Sequence, residues 1–97
     1  MYNVEISNKA DFELDNILSY IAEDLDAPQA ASHFADEVYK CYDRLADNPY
    51  IFEMCRDPRL QREGYRRAVI KNYVMLYKIH DHERVIVHHF FMAVRIM

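Results

Sequence analysis

The sequence is poor in glycine, proline and cysteine and has no tryptophan: its 97 residues include one glycine, three prolines and two cysteines. Two cysteines without a CxxC spacing exclude a disulfide-stapled secreted domain and agree with a reducing compartment. No run approaches the roughly 18 apolar residues of a membrane span, and the N-terminus lacks the pattern of a signal peptide. We therefore expect a cytoplasmic protein that makes no contact with a membrane.

The length and the apolar content favour one small globular domain. Hydrophobic residues make up 52% of the chain, and a chain of this size buries something over about 60% of its unfolded surface. No linker, repeat or low-complexity segment divides it. We expect a single domain that spans residues 1–97.

The charge is divided unequally along the chain. Residues 1–54 hold twelve acidic and three basic side chains, whereas residues 55–97 hold nine basic and four acidic ones. Two interpretations remain open. The basic half binds an acidic or polyanionic partner, or an acidic helical face and a basic sheet attract each other within one fold.

The first half has the periodicity of a strand followed by two helices. "YNVEIS" alternates like a short strand, and Ser7 offers a helix cap. Apolar residues then recur at steps of three and four through Leu25, which predicts an amphipathic helix. Pro28 suits the first turn of a second helix, which we expect to end before Asp47. A connection this short predicts an antiparallel helical hairpin.

The second half changes to the period of strands. After a loop from Pro49 to about Gly64, "YRRAVI", "YVMLYKI" and "VIVHHFF" have strand composition. Lys71 and Asn72 form the first turn, where we expect asparagine to take the positive φ. The order β-α-α-β-β-β predicts an α+β domain with a helical hairpin on one face of a small sheet that is mainly antiparallel.

Basic residues are concentrated just before the sheet and in its first strand. Five arginines fall within twelve positions, in the stretch "RDPRLQREGYRR". Because successive strand residues point to opposite faces, Arg66 and Arg67 are expected to diverge, and so are His88 and His89. We expect the cluster to line a cleft on the face of the sheet that the helices leave open, where it would bind an anion. Neighbouring acids such as Asp57 and Glu63 would partly neutralise it.

The element order and one segment resemble a known superfamily. The stretch "EGYRRAVIKNYVMLYKI", and within it Gly64 to Arg67 followed by "NYV" and Tyr77, is similar to the RelE/ParE toxins of bacterial type II toxin-antitoxin systems. The resemblance covers nearly the whole chain. It implies a growth inhibitor that a cognate antitoxin holds inactive by wrapping a segment around it.

RelE-like members of this superfamily cleave mRNA on the ribosome without a metal ion, and this is the activity that we expect first. The resemblance implies Arg66, on the first strand of the meander, as the residue that stabilises the phosphate, and His89, where the last strand usually has arginine, as the acid or base. In the pattern these two positions face each other across a concave sheet. It assigns RNA binding to the remaining basic residues of the pattern: Arg56, Arg59, Arg62, Arg67 and Arg95. The set implies no metal and no cofactor.

Two departures favour an alternative target. The final strand keeps only Arg95 of its usual polar ending, and the sequence pI of about 5.7 is acidic for a protein that acts on ribosomal RNA. ParE-like members instead poison DNA gyrase, a protein target that requires no catalytic pair. A nontoxic relative that still binds an antitoxin is the third interpretation.

Overall fold

The computed structural model describes residues 1–93. The predicted order of elements is confirmed, with one addition, a short helix before the second strand. The strands are β1 (Asn3–Ile6), β2 (Tyr65–Ile70), β3 (Tyr73–Ile79) and β4 (Arg84–Met92), and the helices are α1 (Asn8–Ser19), α2 (Pro28–Asp47) and α3 (Pro58–Arg62). No helix within residues 1–93 is both long and apolar enough to span a bilayer.

The four strands form one mixed sheet in the order β1-β4-β3-β2. The three C-terminal strands make the expected antiparallel meander, whereas β1 pairs parallel to β4, with Asn3 opposite Arg84 and Ile6 opposite Val87. A parallel pair needs a long crossover connection. The two helices lie between β1 and the meander in the sequence and belong to this connection.

Helix α1 begins at the predicted cap and ends earlier than predicted. The Ser7 hydroxyl accepts a hydrogen bond from the Ala10 amide at 3.0 Å and donates one to the His88 carbonyl at 3.2 Å. One side chain therefore caps the helix and ties it to β4. The predicted helix is regular only to Ser19, because residues Tyr20–Asp24 continue as a π-helical turn.

The main core lies between the helical hairpin and one face of the sheet. Pro28 occupies the first turn of α2 as predicted, and the buried stripe of α2 includes Phe34, Val38 and Leu45. Phe34 meets the Tyr73 ring of β3 at a centroid distance of 5.1 Å. Tyr77 is fully buried, and its hydroxyl donates a hydrogen bond to the Pro49 carbonyl at 2.8 Å. We call this side of the sheet the helix face.

The opposite side, which we call the open face, is partly covered by α3. A second, smaller cluster of buried residues there comprises Cys55, Val74 and Leu76, with Leu60 of α3 packed against it. The chain before α3 also runs along the outer edge of β2: the Cys55 amide donates to the Tyr65 carbonyl at 3.0 Å. The stretch predicted as a plain loop therefore contains a helical turn and protects the sheet edge.

Two backbone details differ from the expectations for the meander. In the turn between β2 and β3, Lys71 has the positive φ, 57°, and not Asn72. In β4, the register with β3 shifts by one residue: Leu76 lies opposite His89, whereas Tyr77 lies opposite Val87. His88 is thus the extra residue of a β-bulge.

Candidate functional site

Polar and aromatic side chains from β2, β3 and β4 meet on the open face. The Tyr65 ring is central: its centroid lies 5.6 Å from the His88 ring and 6.4 Å from the His89 ring. The Lys78 ammonium lies 4.4 Å from the same centroid, and the His80 ring lies 5.7 Å from the His88 ring. We call these five residues, Tyr65, Lys78, His80, His88 and His89, the histidine cluster.

The β-bulge overturns the expectation that only one of the adjacent histidines reaches this face. Regular alternation would turn His88 and His89 to opposite sides of the sheet. Because the bulge adds one residue to β4, both rings approach Tyr65 and lie 6.4 Å from each other. The open face therefore gains a second imidazole that the sequence pattern assigned to the other side.

The two imidazoles have different surroundings. The pKa of His88 lies below its ordinary value, chiefly because burial penalises the charged ring and also because Lys78, His80 and His89 are close. His89 instead approaches a carboxylate of α1: its Nδ1 lies 3.6 Å from Glu13 Oε1. The same oxygen accepts a hydrogen bond from the Phe90 amide at 3.1 Å. The site thus holds one imidazole that favours the neutral form and one beside an acid.

Arg66 does not share this face, which corrects the geometry expected for a catalytic pair. It lies opposite Tyr77, a residue of the helix face, whereas His89 lies opposite Leu76 of the open face. The guanidinium of Arg66 donates to the Phe52 carbonyl at 2.7 Å and stacks 5.1 Å from the Tyr50 ring centroid. Arg66 and His89 therefore do not face each other across a cleft.

Arg67 is the arginine that the strand presents on the open face, in the row that continues through Leu76 to His89. Its Nε and Nη2 atoms lie 3.3 and 3.0 Å from Glu53 Oε1. The neighbouring arginine cations lower the pKa of Glu53, with the Arg67 hydrogen bond as the largest cause. Arg67 thus has a carboxylate partner and is only 31% exposed.

The remaining predicted RNA-binding arginines lie beside the open face rather than on its floor. Arg56 and Arg59 are about four-fifths exposed, and their nearest acids are Glu53 at 3.7 Å and Asp57 at 3.6 Å. Arg62 is an exposed residue of the last turn of α3. Asp57, one of the two acids expected to neutralise the cluster, thus pairs with Arg59, and Glu53 adds a second carboxylate beside Arg56. Arg95 lies outside the described residues.

Sequence reasoning overlooked Tyr65 and Lys78 as members of the site. Alternation along β2 could have found Tyr65, because it is two residues from Arg67, and the two-residue turn at Lys71 places Lys78 opposite Tyr65.

Within residues 1–93, no group of three or more histidine, cysteine, aspartate or glutamate side chains is arranged to hold a metal ion.

A separate groove lies at the end of the molecule where the helical hairpin meets the ends of β3 and β4. Its volume is about 820 Å³, and its walls include Leu25, Phe34 and Tyr73, with His33 and Lys71 also contributing. Large apolar side chains stay exposed beside it: Tyr20 is 41%, Leu25 54% and Met92 50% exposed. Exposed apolar walls of this kind are typical of a surface that binds another chain.

Comparison with known proteins agrees with this architecture. The family model described as "ParE toxin of type II toxin-antitoxin system, parDE" matches residues 4–95. A solved structure titled "Chromosomal ParDE TA system from P. aeruginosa" superimposes with a TM-score of 0.74, covering 97% of this chain and 98% of that chain. Its identity to this chain is 14%, so this likeness concerns the fold. No curated protein sequence matches significantly.

The sheet, the helical hairpin and the family match together define a toxin component of a type II toxin-antitoxin system. Within that class, the chain belongs to the ParE toxin family. The resemblance to the RelE/ParE superfamily is therefore confirmed.

Proposed function

We propose that the chain acts as a single cytoplasmic domain that arrests bacterial growth by inhibiting DNA gyrase and that a cognate antitoxin neutralises it. Membership of the ParE family supports gyrase as the target. The observation that carries the proposal is the hydrogen bond that Arg66 donates to the Phe52 carbonyl at 2.7 Å. This bond occupies Arg66, the residue expected to stabilise the phosphate, on the helix face. A toxin that acts by binding a protein does not need Arg66 opposite His89.

An assay with purified gyrase tests this target. Relaxed plasmid, ATP and gyrase are incubated with increasing amounts of the chain, and supercoiled product is measured. Inhibition of supercoiling with accumulation of cleaved plasmid supports the proposal. Unchanged supercoiling at a large molar excess of folded chain contradicts it.

RNA cleavage is a second candidate, and the histidine cluster is the observation that favours it. General acid-base attack by a 2′-hydroxyl requires a proton acceptor, a proton donor and positive charge near the phosphate. His88, His89 and Lys78 supply these groups around Tyr65 on one face. Arg67 takes the phosphate-binding role proposed for Arg66, and the exposed arginines of residues 56–62 bind the RNA backbone beside it.

This candidate predicts mRNA ends inside translated frames after induction. The substitution His89→Gln removes the ring beside Glu13 and is expected to abolish those ends, and His88→Gln is expected to reduce them. His33→Gln is the matched control, because His33 lies on α2 at the separate groove. Cleavage that persists undiminished in both cluster variants would refute the assignment of the histidines.

The antitoxin is proposed to occupy the apolar groove at the end of the hairpin. Tyr20, Leu25 and Met92 offer anchors for apolar side chains of an extended or helical segment. Leu25→Asp is expected to weaken antitoxin binding by at least tenfold, and Ile51→Asp, at an equally exposed apolar position outside the groove, tests whether any new charge has that effect. Equal affinity of the Leu25 variant and the unchanged chain would exclude this groove as the antitoxin site.

A further inference from the structure

Two rings of the histidine cluster meet at the end that lies toward the turn between β3 and β4. His80 directly follows β3, and His88 is the bulged residue of β4. Their Nε2 atoms lie 3.5 Å apart, and their ring centroids lie 5.7 Å apart. The centroid distance shows that the rings meet nearly end to end, with the two nitrogens directed at each other.

The separation of the two nitrogens is long for an N–H···N hydrogen bond but suits two ligands of one metal ion. With metal–nitrogen bonds of about 2.0–2.1 Å and tetrahedral geometry, ligating nitrogens lie roughly 3.4 Å from each other. Imidazole is a preferred ligand of Zn²⁺, Cu²⁺ and Ni²⁺. We propose that His80 and His88 form a two-histidine site for a transition metal ion of this class, with water in the remaining positions.

Both rings must rotate to ligate one ion. In the end-to-end arrangement, each imidazole has to turn by roughly 35° for its lone pair to meet an ion beside the line between the nitrogens. Turning the lone pair by this angle requires a rotation of roughly 60° about χ2, a torsion that is broad in histidine. His80 is exposed and His88 is half-buried, which leaves both rings outside the close-packed core.

The surroundings set a limit to the affinity. Residues 1–93 contain no arrangement of three or more metal-binding side chains, so the protein supplies two ligands here and not the three or four of most zinc sites. The Lys78 ammonium lies over the Tyr65 ring that His88 also contacts, and its charge repels a cation. We therefore expect micromolar binding, weaker than that of a structural zinc site.

A bound ion would link the end of β3 to the bulge of β4. It would also occupy Nε2 of His88 and thereby remove that ring as a proton carrier in the RNA-cleavage candidate. The site itself does not depend on either proposed target, because it consists only of the two imidazoles and their strands.

Titration calorimetry of the purified chain, freed of any affinity tag, tests the proposal with Zn²⁺ and Ni²⁺ as the probes and Mg²⁺ as the reference. The unchanged chain is expected to bind one transition metal ion and no Mg²⁺. His80→Gln and His88→Gln are each expected to weaken binding at least tenfold. His82→Gln, two residues from His80 in the same exposed turn, is expected to bind as the unchanged chain does.

Circular dichroism of each variant checks that the fold is retained, and the exposed position of His80 makes its variant decisive if His88→Gln unfolds. The proposal is overturned if the unchanged chain binds no more tightly than the double variant His80→Gln/His88→Gln. It is equally overturned if His82→Gln loses as much affinity as His80→Gln.

Discussion

Replacing Arg66 by alanine is predicted to destabilise the fold, because its guanidinium fastens the segment before α3 to β2. The charged hydrogen bond to the Phe52 carbonyl, at 2.7 Å and partly buried, is worth about 1.5–3 kcal/mol. Stacking on the exposed Tyr50 ring adds about 0.5–1 kcal/mol. The loss is therefore about 2–4 kcal/mol, which lowers the melting temperature of a domain this small by roughly 10 °C or more.

Urea unfolding followed by circular dichroism measures this loss. Arg59→Ala is the matched control: it removes the same side chain from a position that is 82% exposed, where an ion pair contributes about 0–1 kcal/mol. A further variant, Tyr50→Leu, is expected to reproduce only the smaller, stacking part of the Arg66 effect. If the free energy of unfolding of Arg66→Ala lies within about 0.5 kcal/mol of that of the unchanged chain, the anchoring role of Arg66 is refuted.

Three further predictions concern the rest of the fold. Ser7→Ala removes the cap of α1 and its link to the His88 carbonyl and is expected to cost about 1 kcal/mol in chemical denaturation, whereas Ser7→Asn should recover part of the loss. Gly64→Ala places a side chain at φ 88° and is expected to lower the free energy of unfolding by about 1 kcal/mol. Because no atom lies near the added Cβ, this loss reflects backbone strain alone, and an unchanged urea midpoint would contradict it. Stability is expected to fall as the pH drops below about 4.5. Hydrogen bonds from Arg84 hold the pKa of Glu5 below its ordinary 4.5, so Glu5 is protonated at a lower pH in the folded chain than in the unfolded chain. A Glu5→Gln variant should show a shallower acid transition, and an identical transition in both proteins would contradict the account.

The sequence predicted the elements well because their signals are local. The cap at Ser7, proline in the first turn of α2 and the change of period after Gly64 each depend on residues that are near one another in the chain. The signals for α3 were equally local, with an aspartate cap at Asp57 followed by proline, but the helix has only five residues and a single large apolar one. The parallel pairing of β1 with β4 joins distant segments and follows from no local pattern.

The face of each arginine could not be assigned from alternation alone. The short turn at Lys71 places Arg66 opposite Tyr77 and Arg67 opposite Leu76. Strand β3, however, reads "YVMLYKI", with apolar residues on both faces, because helices cover one side and α3 partly covers the other. Nothing in this pattern says which set faces the hairpin. The position of Arg66 on the helix face therefore required the three-dimensional structure.

The adjacent histidines were misassigned for a different reason. The bulge at His88 inserts one residue between Val87 and His89, and the residues themselves carry no glycine or other signal of a bulge. The Ser7 hydroxyl bonds to the carbonyl of this extra residue from the start of α1. Because Ser7 and His88 are 81 positions apart, this contact could not be predicted from the local sequence.

Labelled thymidine and labelled amino acid, supplied in parallel during the first minutes after induction in a bacterial host without the antitoxin, test the central claim most directly. The account predicts that thymidine incorporation falls first, with induction of the DNA-damage response, while amino acid incorporation continues. An immediate fall in amino acid incorporation with unchanged thymidine incorporation would contradict gyrase as the target and favour RNA cleavage at the histidine cluster.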